Sequence, residues 1–293
     1  MIIVKEKPLE QAVSIFDGLY ESMRFASSVT DTAREVRLRS GQPVTVEYDK
    51  GRFVSASGKI TPAQLSRYMQ ALCSYSVHSC EQQLRDGCIT LKGGHRAGFC
   101  GTAVIKNGRL ETVKDISSIN IRIAREHIGC GEECARIVYS DGFKGLLIAG
   151  APLSGKTTML RDLCRIVSAS HKLSVVDSRG ELAAAFNGTP QLDIGANTDV
   201  LNGYEKVQGI LLAIRVLSPE YVACDEITGE QETIATCLHY GVKPLITAHC
   251  GDLSEALQMP AVKSGAISHV VMLGTGKELG KVIGISCAER STV

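Results

Sequence analysis

Apolar and polar positions follow two different rhythms along this chain, and the change between them marks a change of architecture. In the first half, residues 7–28 space their apolar side chains as one helix does, and "EVRLRSGQPVTVEYDKGRFV" then alternates apolar and polar residues between turn signals. That alternation predicts a short meander of strands. In "ITPAQLSRYMQAL", Thr61 is placed to cap a helix, Pro62 to take its first position and Gln64 to close a capping box. Leu65, Tyr68, Met69 and Leu72 then share one face. After Gly87, "CITLKGGHRAGFCGTAVIKNGRLE" reads as strands joined by a Gly93-Gly94 hairpin turn and an Asn107-Gly108 turn.

Beyond about Asp141 the strands become short and almost wholly apolar: "GLLIAG", "LSVVD", "YVACD" and "PLITAH", with helical stretches between them. Such strands belong to a parallel sheet covered on both faces. The last stretch, "HVVMLGTGKELGKVIGIS", predicts a hairpin. The expected organisation is a smaller α+β domain over residues 1–138 followed by an α/β domain over 139–293.

Composition narrows the functions available. The 293 residues carry 32 basic and 31 acidic side chains, a net charge of +1, so no broad field draws the chain to nucleic acid or an acidic membrane. With no Trp and few aromatics it offers no base-stacking platform either, which argues against a nucleic-acid motor. No apolar run approaches the roughly 18 residues that span a bilayer, and the start of the chain lacks a signal-peptide pattern. The eleven cysteines sit singly in apolar segments, as reduced core residues do in a cytosol. "CGEEC", with His127 nearby, is half of a zinc pattern whose second half is missing.

The chemistry gathers at "LLIAGAPLSGKTTMLRDLCR". Gly150, Gly155, Lys156 and Thr157 match G-x-x-x-x-G-K-[ST], placed after a strand and before a helix. Residues Gly150, Ala151, Pro152, Leu153, Ser154, Gly155, Lys156, Thr157 and Thr158 would wrap a phosphate chain with backbone N–H groups, Lys156 reaching the outer phosphates and Thr157 holding Mg²⁺. Leu160, Leu163, Cys164 and Val167 form the helix face to be buried. "YVACDEI" ends a second strand with Asp225, suited to Mg²⁺, and Glu226, suited to polarising water. "KPLITAHC" delivers Thr247 and His249 to the ligand-binding edge of such a sheet. "SVVDSRGEL" brings Asp177, Arg179 and Glu181 to another strand end, either as site edge or as helix cap, and Arg215 reads as a surface charge.

The ordered set "EVRLRSGQP", "ITPAQL", "GGHRAGFCGTAV", "DISSINIRIARE", "GAPLSGKTTMLRDL", "VVDSRGEL", "AIRVLSPEYVACDEI" and "LITAH" resembles the stage III sporulation protein AA family over about residues 30 to 250. That family is similar to the hexameric ATPases of type II and type IV secretion. The resemblance implies a RecA/AAA+-like P-loop NTPase domain that uses ATP and Mg²⁺ in a homo-oligomeric, hexameric ring. It also implies a place in the cytoplasm on the mother-cell side of the forespore membranes, bound there through membrane-embedded subunits of a sporulation complex. Gly150 to Thr158 would then be the Walker A loop, Asp225 and Glu226 the Walker B pair, and His249 the histidine-box residue, with Glu226, Lys156 and His249 catalytic. Arg122 and Arg125 are candidates to enter a neighbour's site in trans, with Arg37 and Arg39 as competitors. Three departures stand out: Leu153 where relatives carry glycine, "DSRGEL" with one carboxylate fewer than "DERSEI", and "ITGEQE" without an arginine. Two readings follow, a hydrolysing motor and an ATP-responsive assembly scaffold; a small-molecule phosphotransferase would need an acceptor pocket and an Arg-rich lid that the sequence does not display.

Overall fold

The computed structural model describes residues 7–23, 32–48, 51–54, 58–73, 87–106 and 108–288. The chain divides into two units, Met1–Arg125 and Glu126–Val293.

The first unit is a six-stranded antiparallel sheet in the order β3-β2-β1-β6-β5-β4. Its strands are β1 (Ala33–Arg39), β2 (Thr45–Tyr48), β3 (Gly51–Val54), β4 (Cys88–Thr90), β5 (Arg96–Lys106) and β6 (Arg109–Arg122). The expected single helix over residues 7–28 is instead α1 (Pro8–Val13) and a short α2 (Leu19–Ser22). Gly18, at φ 68°, turns the chain between them, so Leu9, Phe16 and Leu19 all reach one core. Residues 24–28 of that expectation, and Asn107 of the expected turn, lie outside the described residues. Helix α3 (Pro62–Leu72) begins as its sequence requires. Thr61 Oγ1 accepts the Gln64 N–H, Gln64 Oε1 accepts the Thr61 N–H, and Leu65, Tyr68 and Leu72 are buried. The "GGH" of the third motif is explained by crowding: at Gly93 (φ 83°) a Cβ would stand 2.4 Å from Gln11 Oε1 and 2.8 Å from His95 Nε2. His95 is buried, its Nδ1 accepts the Ala124 N–H at 3.0 Å, and burial pushes its pKa down to about 4. It is a neutral core residue rather than a site residue.

The second unit holds a seven-stranded sheet in the order β13-β12-β7-β11-β10-β8-β9. The strands are β7 (Leu146–Gly150), β8 (Leu173–Asp177), β9 (Thr198–Asn202), β10 (Tyr221–Cys224), β11 (Lys243–His249), β12 (His269–Leu273) and β13 (Val282–Cys287). Six run parallel, and β13 returns antiparallel on the edge as the hairpin pattern predicts. Both faces are covered. Leu147 and Ala149 of β7 enter one core while Leu146 and Ile148 enter the other, which is why the strand reads as uninterrupted apolar sequence. Helix α5 (Lys156–Val167) buries Leu160, Leu163, Cys164 and Val167 completely, each large side chain contributing roughly 1.5–3 kcal/mol.

The division falls after Arg125, not near residue 138. The reason is α4 (Glu132–Val138), which packs on α5. The Gly131 N–H donates to the buried Asp162 carboxylate at 2.8 Å, a Cβ on Gly131 would strike Leu163 N at 2.6 Å, and Cys134 Sγ rests 3.4 Å from Met159 Sδ. Alternation of strands and helices begins only at β7, so the pattern places the boundary a helix too late.

Candidate nucleotide site

Strand order assembles the site. β7 ends in the phosphate-loop sequence and β10 ends in Asp225-Glu226, but β11 lies between them, so Thr247 and His249 fall in the middle. Two hydrogen-bonded chains result. In one, Thr157 Oγ1 donates to Asp225 Oδ2 at 2.6 Å, Thr247 Oγ1 donates to Asp225 Oδ1 at 2.5 Å, and Thr247 Oγ1 also accepts the Glu226 N–H at 2.8 Å. In the other, the Lys156 ammonium donates to the carbonyls of Gly150 and Ala151, both at 2.9 Å, and meets His249 Nδ1 at 3.1 Å. A lysine ammonium has only donors, so Nδ1 accepts, and the proton on Nε2 points to Glu226 Oε1 at 3.2 Å.

Glu226 is held from several sides. Arg179 donates to its Oε2 at 2.7 Å, and Lys206 donates to its backbone carbonyl. Its φ of 52° lies in the left-handed region, a conformation that costs a non-glycine residue about 1–3 kcal/mol and is retained where surrounding bonds dictate it. Arg179 is presented by a rigid turn. The buried Asp177 carboxylate accepts the N–H groups of Glu181, Leu182 and Ala183 at 2.8, 3.1 and 2.9 Å, while Arg161 donates to the carbonyls of Glu181 and Leu182. Between this turn and β10 lies a cavity of about 20 Å³ bordered by Asp177, Ser178, Arg179, Lys206, Asp225 and Glu226. It is large enough for one water, which needs about 10–15 Å³.

Burial raises the pKa of Asp225. The hydroxyls of Thr157 and Thr247 oppose that shift, and the neighbouring Glu226 and Glu181 add to it. Burial lowers the pKa of Lys156, against the pull of Asp225 and Glu226. The sign for Asp225 follows from linkage: the folded state holds a proton the unfolded state has lost, so stability falls as pH rises from the ordinary aspartate value through the raised one. Above that window the charged carboxylate is a standing cost to the nucleotide-free protein. Asp225→Asn is therefore expected to raise the melting temperature of the nucleotide-free chain at neutral pH and to flatten this pH dependence, as thermal scans from pH 4 to 8 can show; a lowered melting temperature at pH 7 would count against it.

The donor set fits a magnesium triphosphate. Thr157 and Asp225 supply hard oxygens. Gly155, at φ 94°, leads into α5 without a side-chain cap, so the first-turn N–H groups of a twelve-residue helix face out of its end. Ser154 Oγ is buried with no protein partner, beneath a Gly150 whose Cβ would stand 2.6 Å from it. Thr158 is half-buried beside Thr157, Ala151 is half-buried, and Pro152 is exposed on the shoulder of the loop. Leu153, at φ 62° and 92% exposed, explains why glycine suits this position. Leu153→Gly removes left-handed strain of about 1–2 kcal/mol and returns part of it as chain entropy, so a net gain of about 0.5–1 kcal/mol in chemical denaturation is expected.

Of the other expected residues, Arg125 donates to the Ala33 carbonyl at 2.9 Å, Arg122 is exposed at the end of β6, and Arg37 pairs with Glu35, all within the first unit. Arg39 is half-buried on β1. Arg215 is exposed and donates to Leu211, as a surface charge does. Lys206 and Arg161 escaped the sequence reading. The signal for Lys206 is its sign, a cation in the first turn of the helix Lys206–Leu212, where the helix dipole disfavours it unless a carboxylate or carbonyl compensates.

The sequence model of the family described as sporulation stage III, protein AA, matches residues 17–293. The chain belongs to that family. The stage III sporulation protein AA of Bacillus subtilis is 36% identical over 263 residues, covering 85% of each chain. Among solved structures, the Legionella pneumophila ATPase DotB is similar with a TM-score of 0.56 at 14% identity, covering 88% of this chain and 78% of its own. The pilus retraction motor PilT with bound ADP is similar with a TM-score of 0.54 at 14% identity, covering 82% of this chain and 74% of its own. The chain thus has the RecA-like P-loop fold of these solved structures. Among the described residues no helix is long and apolar enough to cross a membrane.

Proposed function

We propose that this chain hydrolyses Mg-ATP as the motor of a sporulation complex, working as an oligomeric ring that drives a membrane-embedded partner from the cytoplasmic, mother-cell side. The observation that carries the reading is the pair of hydrogen-bonded chains at three neighbouring strand ends, Thr157–Asp225–Thr247 and Lys156–His249–Glu226. Thr157 and Asp225 would hold Mg²⁺, which when bound neutralises charge on the phosphate oxygens. Lys156 is positioned to exchange its carbonyl partners for phosphate oxygens. Glu226, beside the water-sized cavity, is the group that accepts a proton from the attacking water. His249 orients that carboxylate by donating from Nε2 and reports to it the position of the Lys156 ammonium. Arg122 and Arg125 are the arginines assigned to a neighbour's site, to be tested by mixing each alanine variant with Glu226→Gln chains: activity restored in the mixture supports a role in trans.

A second reading, an ATP-responsive scaffold, draws on the Arg179–Glu226 ion pair, which occupies the carboxylate needed for hydrolysis. Mass measurements with ATP and with ADP, read beside phosphate release, separate the two. The motor reading expects assembly on Mg-ATP that decays as phosphate appears; stable assembly without phosphate release favours the scaffold.

A further inference from the structure

The groups suited to a terminal phosphate, Lys156, Asp225, Glu226 and His249, all lie from β7 toward β11 and β10. A nucleotide seated on them extends its nucleoside to the opposite side, toward β12. There the turn joining β12 to β13 leans on the phosphate loop: the Gly280 N–H donates to the Ser154 carbonyl at 3.2 Å, and a Cβ on Gly155 would rest 3.4 Å from Gly280 Cα. The residues just before this bonded pair are Leu153 and Leu279, which are 92% and 58% exposed. We infer that Leu153 and the turn Thr275–Lys281 form the nucleobase subsite, the two leucines flanking the flat face of a purine ring.

Three observations favour a base over another occupant. The turn is preformed, with Glu278 N–H bonded to the Thr275 carbonyl and Lys281 N–H to the Glu278 carbonyl, both at 3.0 Å. Lys281 is paired with Glu278 at 3.1 Å, so its charge is met within the turn, beside the exposed Leu279 and Lys277. Leu153 keeps an exposed apolar side chain at φ 62°, where glycine carries no strain, which is a cost without return unless the side chain meets a ligand. The inference rests on the nucleotide reading above. It adds to that reading the place and the chemistry of base recognition.

The test compares two ligands on the full chain by titration calorimetry with Mg²⁺: ATP, and inorganic tripolyphosphate, which has the phosphates without the base. Leu279→Asp is expected to weaken ATP about tenfold or more and Leu279→Ser somewhat less, because each loses an apolar contact, while tripolyphosphate affinity stays within about twofold. Equal losses for both ligands, or no loss for ATP, overturn the base subsite while leaving nucleotide binding intact. If the unaltered chain binds neither ligand, the nucleotide reading itself falls, and this inference with it.

Discussion

Replacing Glu226 by glutamine is expected to lower the steady-state rate of ATP hydrolysis by about 10²–10⁴-fold, with ATP affinity held within a few-fold of the unaltered chain. The glutamine keeps the shape of the side chain and can still accept the His249 Nε2 proton, so the positioning contacts survive. What it loses is the capacity to take a proton from water. It also loses the ion pair with Arg179, which releases that guanidinium toward a bound phosphate and favours tight ATP binding. A rate loss accompanied by an equal loss of affinity would instead mark Glu226 as a structural residue. Phosphate release and nucleotide titration on the same preparations give both quantities.

The second large effect is on stability. Asp177 is 3% exposed, and its carboxylate accepts three backbone N–H groups of the turn that follows β8. Asp177→Ala leaves those donors without partners in a place water reaches poorly, and charge-assisted bonds of this kind make the expected cost about 3–5 kcal/mol. The turn carries Arg179, and its Glu181 and Leu182 carbonyls are also the acceptors of Arg161. Catalysis should therefore fall along with the denaturation midpoint. Asp177→Asn, which keeps one acceptor oxygen, should lose about half as much. A change below about 1 kcal/mol for the alanine variant would contradict the assigned role.

The sequence made the phosphate loop and its helix legible because their spacing is set by local geometry. Gly155 must adopt φ 94°, Lys156 must follow it, and Leu160, Leu163 and Val167 must recur on one face. The parallel sheet was legible for a related reason, since strands buried on both faces leave no polar alternation. The helix break at Gly18 was missed because helical apolar spacing runs across it, and the boundary was missed because α4 is recruited by Asp162 and Met159, residues far along the chain. Arg179 was visible as a strand-end residue, but its partner was not, because the turn that joins it to Glu226 is made by backbone bonds to Asp177. Likewise Leu153 was visible as a departure from glycine, while its left-handed φ, and so its cost, belongs to the fold.

The measurement closest to the central claim is phosphate release from Mg-ATP by the purified chain, compared with Lys156→Ala and Asp225→Asn. The account expects magnesium-dependent release by the unaltered chain and its loss in both variants, with Lys156→Ala also losing ATP affinity and Asp225→Asn gaining thermal stability. Equal release by all three preparations, or release that does not depend on magnesium, would contradict it.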